Sequence, residues 1–539
     1  MLYFIPAWYQ QNNWCENEQY WYSRRMRTEF DDTVKHIQLF HRSKAYPFQI
    51  MLLSFAPNFR HFLHRQGVFR APYWSVFDAI QEVRRKKVKM FSVHNINWPE
   101  HIEFIYSPFA MVAQLQGIKY AQVEYGEDGN PIQIDIYQEN KLQRRNIYDD
   151  RGFVSSSIVF EDQKPVYQDY LTDTGVWKIR HFKSDGHVEV NPKSNTFLID
   201  YQGKEQTMTF SKQRYDQLKD VIYEVLRAYV DLLSDDDLFC LAMHELHTET
   251  VRDAIRDKKM ILSFFGDRHS LTKHPEDKVL IDRAGYIITD SEEHLKKLQR
   301  RMGKAIPNIV DITPFDSRVD FGISQQLSVQ KILVPVDGMD DERYATLICR
   351  LAEYMQKNEN ARVHLFTRVA DHNRKKGILE LTRQILKENG LEEGWAAEPK
   401  RNNVAENQLD EEEVPVKFFA EKCVSELSVS ACMREQRLLL DMRDKNELYL
   451  QITAISMGIP QISYKETVFV EHEKNGMIVK DMKQIPKVLE FYLDNLTNWN
   501  EAVVHSYEIG KRYTTQVLID KWKEVIEIVR NDSDTAIRN

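Results

Sequence analysis

At 539 residues the chain exceeds what one hydrophobic core serves, and at about 100–200 residues per domain it divides into roughly three. Apolar residues make up 42% and charged residues 29%, an ordinary globular composition that excludes a mainly disordered, collagen-like or disulfide-scaffold chain. Lysine plus arginine number 73 against 81 aspartate plus glutamate, a formal charge of -8, so no nucleic-acid partner is expected.

Cys15, Cys240, Cys349, Cys423 and Cys432 are odd in number, widely spaced and without a Cys-x-x-Cys pair. That fits a reducing cytoplasm and predicts neither a disulfide framework nor a zinc site. The N-terminal stretch lacks a basic region ahead of its apolar residues and reads as a first strand, not a signal peptide. No 18 apolar residues run together, so no membrane span is predicted, and peripheral association with the inner face of the cell membrane stays open.

Tyr3-Phe4-Ile5-Pro6-Ala7-Trp8 is a short apolar run, followed by a helical pattern over residues 31–41. Residues 50–55 read as a buried strand, 76–80 as a helix and 88–93 as another strand, so an α/β unit with a parallel sheet opens the chain. From about Gln116 the period changes to two, with short runs at 132–136, 153–160, 176–182, 187–190 and 196–201. Gly126-Glu127-Asp128-Gly129-Asn130, Ser184-Asp185-Gly186 and Gln202-Gly203 punctuate them as turns, which predicts an inserted antiparallel meander.

Helical spacing returns at Tyr215, Leu218, Ile222, Val225, Leu226 and Tyr229. Ser234 ahead of Asp235-Asp236-Asp237 then reads as an N-cap with an acidic first turn. Residues 260–265 and 285–290 are further buried-strand candidates, and Pro307 and Pro314 mark a linker. A second βαβ series has strands predicted at 331–336, 362–366, 416–419, 437–440 and 460–463, with an acid-rich exposed loop at 400–413 and helices at 486–493 and 521–529.

Chemistry-bearing motifs are sparse. Only 19 glycines occur, with no GxGxxG, GxxxxGK[ST] or GxSxG, so nucleotide-phosphate cradles and a serine elbow lack a warrant and no cofactor is predicted. His244-Glu245-Leu246-His247 brings its second histidine one residue too early for a zinc-binding HExxH, and reads as helix surface; no metal is expected. Arg84-Arg85-Lys86-Lys87 reads as a solvated helix end, or as a contact for anionic lipid or a partner's acidic surface. Trp8, Tyr9, Trp14, Tyr20, Trp21 and Tyr22 read first as core packing with one interface, with stacking on sugar rings or filling of a partner's groove as the functional reading, for which Trp8, Tyr9 and Trp14 are the candidate contacts.

The strand-helix-strand segment from Leu438 to Val479 is spaced as in retaining glycosyltransferases of two Rossmann domains (the GT-B fold). Their C-terminal domain has two glutamates eight residues apart, the second opening a Glu-Ala-Met-x-x-Gly-x-Pro turn. Thr453-Ala454-Ile455-Ser456-Met457-Gly458-Ile459-Pro460 aligns with that turn, which puts Lys445 and Thr453 where the carboxylates belong. Glu471, Asn475 and Gly476 match the acidic residue and Asn-Gly turn that follow. Lys445, Thr453, Gly458, Pro460, Glu471, Asn475 and Gly476 are thus the positions of a degenerate donor site, and no catalytic residue is assigned.

With its aromatic opening and β insert, the chain resembles, over essentially its whole length, the glycosyltransferase-like Asp proteins of the bacterial accessory Sec system. The resemblance implies two Rossmann-like domains in a GT-B arrangement with a β-sheet domain inserted in the first. The expected boundaries are 1–115 and 211–318 for the first domain, 116–210 for the insert, 319–510 for the second domain and 511–539 for a C-terminal helix packing back on the first. It further implies a non-catalytic cytoplasmic subunit that binds the other Asp proteins and the glycosylated serine-rich-repeat adhesin, and helps deliver that adhesin to the accessory SecA motor. The alternative is an active glycosyltransferase acting on a Ser/Thr-rich protein.

Overall fold

The strand Leu2–Ile5 has every residue buried to 2% exposure or less, as a strand covered on both faces of a parallel sheet must be. In the computed structural model, which describes residues 1–10, 13–15, 30–89, 91–108, 110–256, 258–398 and 415–536, this strand lies inside a seven-stranded parallel sheet. The spatial order is Ile309–Asp311, Tyr286–Thr289, Lys259–Phe264, Leu238–Ala242, Leu2–Ile5, Phe48–Leu52, Tyr73–Ser75. The chain divides into two compact units, residues 1–312 with 522–539, and residues 313–521.

In the first unit, helix Asp32–Ser43 starts where the Asp31 carboxylate accepts the Thr33 N–H and ends at Lys44 in the left-handed region. Its buried face meets Phe4, and the last helix, Thr515–Ala536, brings Trp522 edge-on to Phe4, His36 and Phe40.

The insert is a ten-stranded antiparallel sheet, running from the edge strand Ile102–Tyr106 to Arg214–Tyr215, accompanied by the hairpin of Thr196–Tyr201 and Lys204–Thr209. It begins at Ile102, ahead of residue 116, and its turns at Gly129, Gly186 and Gly203 have positive φ, as the sequence pattern requires. Buried polar contacts tie it to the parallel sheet domain. Gln81 donates to the carbonyls of Ser155 and Leu171, and Arg151 forks onto Asp78 and Asp149. The Lys178 ammonium, whose side chain is 0% exposed, lies 3.2 Å from Glu82.

Two local expectations are corrected. The described residues of 88–93 form no strand: the Lys89 N–H bonds to the Arg151 carbonyl and Ser92 caps a 3₁₀ turn, while the third parallel strand is Tyr73–Ser75. Ser234 caps no helix, because it closes a tight turn with Asp236 and Asp237 that leads into strand Leu238–Ala242. The Arg84–Lys87 run is solvated as expected, and its exposed Arg84 and Lys86 also pair with the insert hairpin, to Glu205 at 2.5 Å and Asp200 at 2.7 Å. The stretch 400–413 and Tyr20, Trp21 and Tyr22 lie outside the described residues.

The second unit is built on a six-stranded parallel sheet, in the order Phe418–Lys422, Ala361–Thr367, Gln330–Pro335, Leu438–Asp441, Gln461–Ser463, Gly476–Ile478. Ile332, Val334, Leu347, Leu351, Val363 and Leu438 belong to its core, at 0% exposure.

Candidate functional site

In open α/β sheets, ligands bind beyond the carboxyl ends of the strands where the winding direction reverses. In the second unit that switch is Gln330–Pro335, flanked by Ala361–Thr367 and Leu438–Asp441. Charged side chains gather there and pair with one another. Asp337 accepts from Thr367 Oγ1 and the Arg368 N–H, each at 2.7 Å, and from Arg374 at 3.1 Å. Arg443 grips the Asp441 carboxylate with two prongs at 2.8 and 2.7 Å, both side chains being nearly buried. Burial opposes the charge on Arg443, yet Asp441 outweighs it and the guanidinium is held above its ordinary value. Arg368 stands 3.2 Å from Glu447, and Asp444 lies between Arg343 at 3.2 Å and Lys465 at 3.6 Å.

Of the positions expected from the donor motif, Lys445 lies at this carboxyl edge, whereas Gly458, Pro460, Asn475 and Gly476 lead into strands Gln461–Ser463 and Gly476–Ile478 and lie at the opposite, amino end of the sheet. Lys445 is exposed on the loop between strand Leu438–Asp441 and helix Leu448–Met457. Thr453 is buried within that helix and donates its hydroxyl hydrogen to the Tyr449 carbonyl at 2.6 Å. Gly458 ends the helix at φ 68°, where a Cβ would come within 2.9 Å of Val503 Cγ1. Pro460 accepts the Leu439 N–H at 3.0 Å and leads into strand Gln461–Ser463. Glu471 is held below its ordinary range by Lys474, then by Arg512, each 3.0 Å away. Asn475 is fully buried, accepting the Glu471 N–H at 2.7 Å and donating to the Phe469 carbonyl at 2.8 Å. At Gly476 a Cβ would overlap the Gln461 carbonyl oxygen.

The first unit has its own switch at Leu2–Ile5, between Phe48–Leu52 and Leu238–Ala242. Trp8 and Tyr9, expected as sugar or partner contacts, are 2% and 7% exposed and belong to the core, because the chain leaving this strand folds its rings inward. Trp8 donates to Asp31 at 2.9 Å and packs on Phe62, and Tyr9 bonds to His247 at 2.7 Å. Trp14 is half-buried, edge-on to Tyr9. His244-Glu245-Leu246-His247 forms a turn and not a helix surface, with His247 0% exposed. Burial lowers His244 to about 4 and His247 to about 3, so both rings are neutral at pH 7.

Sequence reasoning missed the ion cluster beneath them. Arg268 bonds to Asp32 at 2.5 Å and Asp31 at 3.1 Å, and Ser263 donates to Asp32 at 2.6 Å. Burial, then Asp32, raises Asp31 to about 6, whereas Arg268 overrides burial at Asp32 and holds it at about 2. No local spacing announces Arg268. The Asp441-Met442-Arg443 clamp could have been found, since an acid and a base two apart close a buried strand.

Two Rossmann-like units, the first split by an antiparallel insert and each with its polar residues at a switch point, define the two-domain glycosyltransferase scaffold, GT-B. The fold is similar to that of the pneumococcal O-GlcNAc transferase GtfA solved with UDP and GlcNAc, at a TM-score of 0.68 over 98% of each chain and 13% identity, a likeness of fold alone. The chain belongs to the family of the first Asp protein of the accessory Sec system, whose model matches residues 1–528. It is 32% identical to the member of that family from Streptococcus gordonii, over 97% of this chain and 98% of that one. A solved structure of accessory secretory proteins 1, 2 and 3 from Streptococcus pneumoniae matches at a TM-score of 0.78 and 30% identity, over 98% of this chain and 100% of that one. Family membership assigns the chain a role in the accessory Sec system. Among the described residues no helix is long and apolar enough to cross a membrane.

Proposed function

We propose that this chain is a non-catalytic, glycosyltransferase-like subunit of accessory Sec export, which binds partner Asp proteins and the glycosylated serine-rich-repeat adhesin and hands the adhesin to the accessory SecA motor. The observation that carries the loss of transfer is the pair Lys445 and Thr453. A sugar-nucleotide donor needs carboxylates at these places; the first position offers an ammonium and the second a hydroxyl already bonded to Tyr449. Asp337, Asp441 and Glu447 face arginines, so their charge is met from within the protein.

A scaffold that keeps its packing while losing its reacting carboxylates retains a shape for gripping a sugar-bearing chain, since binding tolerates that loss better than transfer does. The three-protein composition of the pneumococcal relative supports assembly with other Asp proteins. The test is a pull-down of purified chain with partner Asp proteins and with a Ser/Thr-rich peptide carrying N-acetylglucosamine. Co-purification of both is expected. Assembly with partners but no capture of any adhesin fragment reduces the protein to a scaffold.

A further inference from the structure

The antiparallel insert ends on strand Ile102–Tyr106, which among the described residues pairs on one side only, with Ala110–Leu115. An edge strand presents a row of backbone N–H and C=O groups that another strand can pair with, and proteins blunt such edges with proline, lysine, a bulge or extreme shortness. The opposite edge, Arg214–Tyr215, is two residues long and so is blunted. Ile102-Glu103-Phe104-Ile105-Tyr106 has no proline or lysine, and its ladder to Ala110–Leu115 runs without a shift in register. The preceding loop grips one face of this strand, with Trp98 edge-on to Phe104 at 5.6 Å and the Tyr106 hydroxyl 3.1 Å from His94 Nε2. Ile105 and Tyr106 nevertheless stay 49% and 64% exposed.

At the end of the same strand an open pocket of about 420 Å³ lies between two turns of the insert, with Ser107, Tyr125, Gly126 and Glu127 in its wall. Arg65 at 3.4 Å and His61 at 3.8 Å hold Glu127 by its Oε2. A ring, a hydroxyl and a carboxylate in a pocket of this size suit a monosaccharide, whose C–H face lies on the ring while its hydroxyls donate to the oxygens.

The charges at this edge select its occupant. A second copy of the chain would set exposed Glu100 and Glu103 of both molecules along one seam, and like charges across a strand pair are unfavourable. An uncharged peptide meets no such repulsion. A Ser/Thr-rich repeat offers few distinctive side chains to read, yet strand addition needs none, because main-chain hydrogen bonds supply the affinity. Its β-branched threonines favour extended backbone, and the alternation of a strand sends every second residue, with any sugar it carries, to one face.

We propose that an extended Ser/Thr-rich peptide bearing N-acetylglucosamine adds to strand Ile102–Tyr106 as a further strand of the insert, with one sugar seated in the pocket beside Tyr125 and Glu127. This placement rests on the adhesin-binding function proposed above.

Amide hydrogen exchange of the full chain is followed alone, with a synthetic Ser/Thr-rich peptide carrying N-acetylglucosamine, with the same peptide lacking sugar, and with partner Asp proteins. The glycopeptide should slow exchange within residues 102–106 by about tenfold or more. Ile105→Lys, an exposed change that blunts the edge, should weaken binding of both peptides by about tenfold. Glu127→Gln should weaken the glycopeptide alone. Binding of the glycopeptide without protection of this strand, or with equal affinity for the parent and Ile105→Lys proteins, overturns the placement and leaves adhesin binding standing. Protection by a partner Asp protein and not by glycopeptide assigns the edge to that partner and overturns it too. Failure of the folded parent to bind any glycopeptide removes the adhesin-binding function itself, and the placement with it.

Discussion

The hydroxyl of Tyr9 donates to Nδ1 of His247 across 2.7 Å, and Nε2 of the same ring donates to the Ala242 carbonyl at 2.6 Å. Both bonds need the neutral tautomer with its proton on Nε2, because protonating Nδ1 removes the acceptor that buried Tyr9 uses. Burial first, and His244 second, lower His247 to about 3, and burial lowers His36 to about 4, from 6.5. The unfolded chain therefore binds more protons than the folded one below pH 6.5, and stability falls as pH drops through this window. At pH 5 each ring withdraws about 2 kcal/mol relative to pH 7. Asp31, raised to about 6, acts in the opposite direction over part of the range. His247→Gln removes one titrating ring, so its stability gap to the parent should narrow by about 2 kcal/mol between pH 7 and pH 5 in urea denaturation. An unchanged gap contradicts the neutral-ring assignment.

The Asn475-Gly476 turn is predicted to be structural. Asn475→Ala strands the Glu471 N–H and the Phe469 carbonyl in a fully buried place, a loss of about 1–3 kcal/mol. Gly476→Ala drives a methyl into the Gln461 carbonyl and should cost about 3 kcal/mol or more. Thermal unfolding of both variants checks the ranking, and a fully stable Gly476→Ala protein contradicts it.

Legibility in the sequence followed the range of the forces involved. The insert announced itself through turns at Gly129, Gly186 and Gly203, which local backbone geometry demands. Strand Leu238–Ala242 is hidden because Ser234, Asp236 and Asp237 satisfy each other locally and imitate a helix start. Strand Tyr73–Ser75 has three residues, too few to show a period. At the sites, Asp441 and Arg443 are sequence neighbours, but Arg268 meets Asp32, and Arg368 meets Glu447, only through the sheet topology. Lys445 and Thr453 are legible from their resemblance to the family's turn, whereas the bond from Thr453 to the Tyr449 carbonyl exists only in the fold.

Arg151 joins the insert to the first sheet domain from an 11% exposed position. Arg151→Met leaves Asp78 and Asp149 facing each other without their cation, and should destabilise the first unit by about 3–5 kcal/mol. Arg84→Ala, which breaks the exposed pair with Glu205, should cost less than about 1 kcal/mol and lose even that in high salt. Chemical denaturation compares them; a larger effect at Arg84 contradicts the burial argument.

Lys445→Ala and Thr453→Ala should leave adhesin export nearly unchanged, since the proposed function assigns neither side chain a reacting role. The assay is secreted adhesin from cells carrying each variant, with folding confirmed by circular dichroism. A strong export defect in folded Thr453→Ala protein contradicts the vestigial reading of the turn.

Loss of sugar transfer is tested by nucleotide release from a panel of sugar nucleotides, with and without a Ser/Thr-rich acceptor already bearing N-acetylglucosamine. An active glycosyltransferase serves as the positive control. With Lys445 and Thr453 in place of the two carboxylates, no release above background is expected from the folded protein. Acceptor-dependent release of nucleotide would contradict that expectation and return the chain to the working transferases.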